Sequence, residues 1–130
     1  MRSISLLVRS CKNEFVTIPA PIDVILSDKE VRQPDLIMIH KDKLHLITNK
    51  GVEGSPDLVI EILSPTSIKC DRKDKMETYA AYAIREYWLI DPKQKALEQY
   101  VHEESQYDLR EVYLEDHPIE SNYINVCRFQ

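Results

Sequence analysis

Two stretches of the chain open on Pro-Asp and then run apolar without a break: Gln33-Pro34-Asp35-Leu36-Ile37-Met38-Ile39 and Ser55-Pro56-Asp57-Leu58-Val59-Ile60-Glu61-Ile62-Leu63. A strand that is apolar at every position has no face to give to water, so both predict central strands covered on two sides. The rest of the pattern completes an α/β arrangement on a mixed sheet with a flanking helix. Residues Glu14 to Leu26 hold Phe15, Val16, Ile18, Ile22, Val24 and Ile25, interrupted by Pro19 and Pro21, which cannot donate to a ladder. They predict one bent or two short strands at an edge. After Ser64-Pro65 the period becomes helical over roughly Asp71 to Ala83. Met76, Tyr79, Ala80 and Ala83 share a face there, and Asp71 and Asp74 stand at capping positions. Glu86-Tyr87-Trp88-Leu89-Ile90 predicts a strand closed by Asp91-Pro92, followed by a hairpin of Ala96 to Val101 and Tyr107 to Leu114. The polar connection from His40 to Gly54 has turn chemistry at Asn49-Lys50-Gly51 and Glu53-Gly54 and is long enough to be mobile, and Ile4 to Val8 reads as the last turns of an amphipathic helix.

Residues 1–130 read as one domain, and a composition of 43% hydrophobic and 30% charged residues with two glycines excludes a disordered chain. No apolar run approaches the ~20 residues that span a bilayer, and the N-terminus has no signal-peptide pattern, so the expectation is a cytoplasmic protein without a membrane partner. Cys11, Cys70 and Cys127 are scattered, which predicts free thiols rather than a zinc site. The net charge of -5 opposes phosphate binding, but its distribution matters more than its sum. Glu98, Glu103, Glu104, Asp108, Glu111, Glu115, Asp116 and Glu120 lie in the last quarter against Arg110 and Arg128. The part before them is close to neutral, with basic groups at Lys41, Lys43, Lys50 and at Lys69, Arg72, Lys73, Lys75. Each group reads either as a nucleic-acid patch or as solvated surface charge.

Glu61 is the anomaly, because an unpaired carboxylate inside a buried strand costs several kcal/mol. It needs either a salt bridge to Lys or Arg or a metal ion. Strand alternation puts Asp57 and Glu61 on one face, and Asp35 opens the neighbouring strand. Asp35, Asp57, Glu61 and the Ile62 carbonyl therefore form a candidate oxygen set for Mg²⁺ or Mn²⁺. Helical spacing aligns Asp71, Lys75 and Tyr79 on one stripe that can lie against these acids. Lys75 reads either as the helper of an attacking water or as an ordinary partner of Asp71.

Asp35 in Gln33-Pro34-Asp35, the run Gly54-Ser55-Pro56-Asp57-Leu58-Val59-Ile60-Glu61-Ile62-Leu63-Ser64-Pro65-Thr66-Ser67, then Asp71, Lys75 and Tyr79, then Glu86-Tyr87-Trp88-Leu89-Ile90-Asp91-Pro92 together resemble the Uma family. The resemblance implies a restriction-endonuclease-like fold of the PD-(D/E)XK nuclease superfamily. It also implies a metal-dependent endonuclease acting on nucleic acid, DNA before RNA, with Asp35, Glu61 and Lys75 catalytic and Asp71 and Tyr79 supporting. The superfamily lysine two residues after the glutamate is replaced here by Leu63, which implies a lysine moved to the helix. Ala83 stands where the family commonly has glycine, and the frame is shorter at the N-terminus than is usual. That shortening leads us to expect exposed apolar surface around Ile18, Val24 and Ile25, covered in a homodimer. Trp88 and Asp91-Pro92 read as packing and turn residues. The alternatives are an inactive remnant or binding module of the same fold, and an interaction protein whose acidic last quarter meets a basic partner.

Overall fold

A computed structural model describes the backbone of residues 9–10, 15–63, 69–114 and 126–127, and the side chains of 15–63 and 73–114. In chain order the strands are β1 (Arg9–Ser10), β2 (Phe15–Pro19), β3 (Val24–Ile25), β4 (Val31–Arg32) and β5 (Leu36–His40), then a 3-10 helix (Lys41–Leu46), β6 (Ile47–Thr48), β7 (Gly51–Val52) and β8 (Leu58–Ile62). Helix α1 (Lys69–Ala81) follows, then β9 (Glu86–Asp91), β10 (Ala96–Glu103), β11 (Gln106–Leu114) and β12 (Val126–Cys127). The main sheet has six strands in the order β11-β10-β9-β8-β5-β2. Within this sheet, among the described residues, only β8 and β9 are parallel, and α1 is the crossover that a parallel pair requires.

The two Pro-Asp runs form β5 and β8, side by side and antiparallel, with Leu36 opposite Ile60 and Met38 opposite Leu58. Their continuous apolar character has the predicted consequence. Leu36, Met38, Leu58 and Ile60 pack on one face with Phe15, Trp88 and Leu97. Ile37, Ile39 and Val59 pack on the other with Tyr79 of α1, Ile84, Tyr87 and Leu89. The predicted edge segment divides into β2, at the rim of the main sheet, and β3, which belongs elsewhere.

Two expectations are corrected. The connection from His40 to Gly54 folds as a 3-10 turn followed by a hairpin, and β4-β3-β7-β6 make a second, four-stranded sheet. Val24 is fully buried, and Ile18 packs against the helix-side core while Ile25 is half-buried, so that region does not expose an apolar face. The small sheet covers it: Val24 pairs with Val52, and the Val52 N–H donates to the Asp23 carbonyl at 2.8 Å. The predicted helix at Ile4 to Val8 lies outside the described residues, as do the side chains of all three cysteines. Among the described residues no helix is long and apolar enough to cross a membrane.

A second buried carboxylate, Glu86, lies on the face opposite α1 and accepts from Trp88 Nε1 and Gln99 Nε2, each at 2.9 Å. The Tyr113 hydroxyl donates to Gln99 Oε1 at 3.1 Å. Trp88 is therefore a packing residue with its N–H satisfied, and Asp91 accepts from the Lys93 and Gln94 amides as a turn residue. Helix α1 ends in a Schellman motif: the Ile84 N–H donates to Tyr79 O at 3.2 Å and the Ala83 N–H to Ala80 O at 3.0 Å. That motif needs a left-handed residue at its fifth position, and Ala83 supplies it with φ of 57°. The Cβ of Ala83 makes this conformation costly. Ala83→Gly is expected to raise the unfolding free energy by about 0.5–1 kcal/mol, read as a higher urea midpoint at unchanged slope. An unchanged or lowered midpoint would show that the turn is not strained.

Candidate active site

The antiparallel register of β5 and β8 sets the site. Continuing the pairing of Leu36 with Ile60 by one residue brings Asp35, just ahead of β5, opposite Glu61 near the end of β8. Pro34 leaves Asp35 at the point where the ladder gives out, and the side chain takes over from the backbone: the Ile62 N–H donates to Asp35 Oδ2 at 2.7 Å. The Asp35 carbonyl in turn accepts from the Ala20 N–H at 2.8 Å, which ties the residue to the end of β2. Asp35 is half-buried, and its other carboxylate oxygen has no hydrogen-bond partner among the described residues.

Glu61 is 5% exposed and points to the α1 side of the sheet. Tyr79, fully buried in α1, donates its hydroxyl to Glu61 Oε2 at 2.9 Å, and Lys75 Nζ stands 3.6 Å from the same oxygen. Tyr79 and Lys75 are four residues apart, so one stripe of the helix delivers both groups. The ion-pair reading of Glu61 is met by Lys75, with Tyr79 as a hydrogen-bond donor beside it. Burial is the largest influence on Glu61 and raises its pKa above the ordinary 4.5; Lys75 and the Tyr79 hydroxyl oppose that, the Asp35 charge adds to it, and the Asp35 backbone N–H again opposes. The net shift is upward. The Tyr79 hydroxyl is pushed far up, first by burial and then by the Glu61 charge beside it, so it is a permanent donor.

The predicted residues thus divide. Asp35, Glu61, Ile62, Lys75 and Tyr79 converge. Asp71 lies in the first turn of α1, but its side chain is outside the described residues. Asp57 does not join them. Alternation places it on the face of Glu61, yet four residues of strand separate the two by ~13 Å. It accepts from the His40 N–H at 2.7 Å and from Lys43 Nζ at 3.1 Å, at the opposite end of β8. Its side chain is 1% exposed, and it anchors the start of the 3-10 turn to the sheet. Alternation reports the face and not the distance along the strand, which is why the sequence grouped Asp57 with Glu61. One neighbour escaped the sequence reading: Arg32 of β4 reaches α1 beside Lys75 and Tyr79. A lone arginine in a turn-rich segment carries no periodic signal.

Among the described residues no group of three or more His, Cys, Asp or Glu side chains could hold a metal ion. The pair Asp35 and Glu61 is nevertheless the donor set that Mg²⁺ or Mn²⁺ uses, since these ions are held by one or two carboxylates and keep several waters. The Asp35 charge adds to the upward shift of Glu61, and a divalent cation relieves a conflict of that kind.

The fold is that of restriction-endonuclease-like nucleases. A crystal structure from Anabaena variabilis, described as a "putative nuclease belonging to DUF820", superposes with a TM-score of 0.68 and 19% identity over 88% of this chain. This chain spans 64% of that structure's length. The model of the Uma2 family, described as "Putative restriction endonuclease", matches residues 1–125, and the chain belongs to that family. No protein with a curated description matches it.

Two outcomes test the geometry. Asp57→Asn is expected to cost ~1–3 kcal/mol of stability, through loss of the Lys43 contact and a weaker acceptor for His40, while leaving divalent-cation affinity unchanged. Calorimetry with Mn²⁺ that shows lost affinity in this variant would return Asp57 to the site. For Glu61, a folded pKa raised above the unfolded one gives a stabilising contribution that is complete below the ordinary value of 4.5 and is lost as pH rises through the folded value. In metal-free buffer Glu61→Gln, which still accepts from Tyr79, is expected to gain stability relative to the wild type as pH rises from acid to neutral. A difference that is flat with pH would contradict the upward shift.

Proposed function

We propose that this protein is a Mg²⁺- or Mn²⁺-dependent endonuclease that hydrolyses phosphodiester bonds of nucleic acid, DNA before RNA, and acts in the cytoplasm. The observation that carries the reading is the convergence of Asp35, Glu61 and Lys75 at one end of β5 and β8, in a chain of the Uma2 family.

Asp35 and Glu61 would hold the cation, with the Ile62 carbonyl as a further oxygen. A bound divalent ion supplies Lewis acidity toward the scissile phosphate and makes a water nucleophilic near neutral pH. The remaining work belongs to the chain. The Ile62 N–H fixes the Asp35 carboxylate, and Tyr79 fixes the Glu61 carboxylate, so neither need reorganise as the reaction proceeds. Lys75 is 29% exposed at its side chain and 3.6 Å from Glu61, which leaves its ammonium reachable by a phosphate oxygen and close enough to orient the attacking water. Burial of Glu61 opposes its ionised form, so cation binding should displace a proton and strengthen as pH rises.

The test is incubation with supercoiled and single-stranded DNA across Mg²⁺ and Mn²⁺ concentrations, beside calorimetry with the same ions. Wild-type protein should nick, and Asp35→Asn and Glu61→Gln should lose both ion binding and cleavage. Lys75→Ala should keep its ion affinity and cut ~10²-fold more slowly. Salt-sensitive DNA binding without cleavage at any ion concentration would overturn the catalytic reading. Wild-type cleavage by Lys75→Ala would remove Lys75 from the mechanism.

A further inference from the structure

Arg32 makes more contacts than a surface arginine needs. Its NH1 group donates to the carbonyl of its own neighbour Val31 at 3.1 Å, which fixes the plane of the guanidinium. Its NH2 group lies 2.9 Å from Glu30 Oε2, donates to Thr78 Oγ1 at 3.1 Å and stands 3.5 Å from Asp74 Oδ2. Glu30 is itself held in a turn, where its N–H donates to Ser27 Oγ at 3.1 Å and its carbonyl accepts from the Leu26 N–H at 2.8 Å. The Arg32 side chain is 22% exposed, while Glu30 is 38% and Asp74 67% exposed, so the bond to Thr78 is the one partly shielded from water.

The positions of the acceptors on α1 give this clamp its meaning. Asp74 and Thr78 are the residues immediately before Lys75 and Tyr79. At 3.6 residues per turn the stripe through 74 and 78 lies ~100° around the helix from the stripe through 75 and 79. Glu61 grips one stripe and Arg32 grips the next. An apolar face alone tolerates a small rotation of a helix about its axis; polar contacts on two stripes do not. Arg32 is also three residues ahead of Asp35, and between them Gln33 Nε2 donates to Asp23 Oδ1 at 2.7 Å. The same short segment therefore carries one carboxylate of the site and the clamp on the helix that carries the lysine.

We infer that Arg32 is a positioning residue of this site, holding α1 at the rotation that keeps Lys75 and Tyr79 on Glu61. The inference rests on the nuclease reading for its catalytic consequence, but its structural content stands apart from activity. The probe for that content is the Tyr79 Cζ resonance in protein labelled with ¹³C at tyrosine Cζ, assigned by its loss in Tyr79→Phe and sensitive to the hydrogen bond with Glu61. In metal-free protein Arg32→Ala should move this resonance, and Arg32→Lys, a point charge that reaches fewer of the three acceptors, should restore it in part. Thr78→Val, which removes one acceptor on α1, should move it in the same direction by less. In the nicking assay Arg32→Ala should lower kcat ~10-fold or more with KM and Mn²⁺ affinity near wild type, as misplacement of a catalytic group does. Added to Lys75→Ala it should lower kcat by less than it does alone. An unmoved resonance in a folded Arg32→Ala overturns the inference, as does an unmoved resonance in Thr78→Val should Arg32→Ala not fold. Wild-type kcat in Arg32→Ala also overturns it. If the wild type cuts no nucleic acid, the nuclease reading fails alone and the tyrosine resonance still decides the role of Arg32.

Discussion

The antiparallel pairing of β5 with β8 is the constraint on which the site depends. It carries the two apolar runs through the middle of the sheet, and it fixes which carboxylates meet. Asp35 and Glu61 are twenty-six residues apart in the chain and face each other only because Leu36 pairs with Ile60. A slip of one residue would turn Glu61 to the face of Trp88 and Leu58, away from Lys75 and Tyr79. The bond from the Ile62 N–H to Asp35 replaces the ladder contact that would follow, so the strand end is closed by a carboxylate of the candidate site.

The two buried glutamates of the main sheet show how environment separates structure from function. Glu86 accepts from the neutral donors of Trp88 and Gln99 inside the core opposite α1. Glu61 has the neutral donors Tyr79 and the Asp35 backbone N–H, a lysine ammonium at 3.6 Å and a second carboxylate opposite it across the ladder. The first arrangement binds a carboxylate for its own sake. The second leaves charges of both signs beside each other near the sheet's end, which is a setting for a phosphate and a cation. Asp57 illustrates the same division along a single strand. Its contacts with Lys43 and the His40 amide hold the connection in place at one end of β8, while the other end carries Glu61.

What the sequence disclosed follows from which signals repeat. The central strands, α1, β9 and the β10–β11 hairpin each run for five residues or more and show their period, so their order and faces were legible. The strands of the small sheet are two residues long, which is too short for any period to appear; the segment from His40 to Gly54 therefore read as a loop. Asp35 and Glu61 were legible because both break an apolar pattern, and Lys75 with Tyr79 because four-residue spacing on a helix marks one stripe. The distance between Asp57 and Glu61 was not legible, since alternation has no term for length. Nor was Arg32, whose role comes from a fold that brings β4 onto α1. Ala83 is a partial case: its place at the helix end was visible, but its left-handed backbone came only with the structure.

A site lysine on the helix in place of one on the strand would have a physical consequence for the whole domain. On β8 the position two residues after Glu61 is Leu63, which packs into the core on the α1 side, so the end of the strand gains apolar contact where a lysine would have needed water. The cation then arrives on an element whose orientation the sheet does not set. A strand lysine inherits its placement from the backbone ladder, whereas a helix lysine depends on how the helix is rotated and how far it slides. Burial of Tyr79, Ala80 and Ile84 fixes the height of α1 above the sheet, and the Schellman turn at Ala83 fixes where it ends. Rotation is then opposed by polar contacts on separate stripes of the helix. For that reason the contacts of Glu61 with Tyr79 and Lys75 and those of Arg32 with Thr78 and Asp74 belong to one device. On the inference drawn for Arg32, the first set needs the second to stay in register.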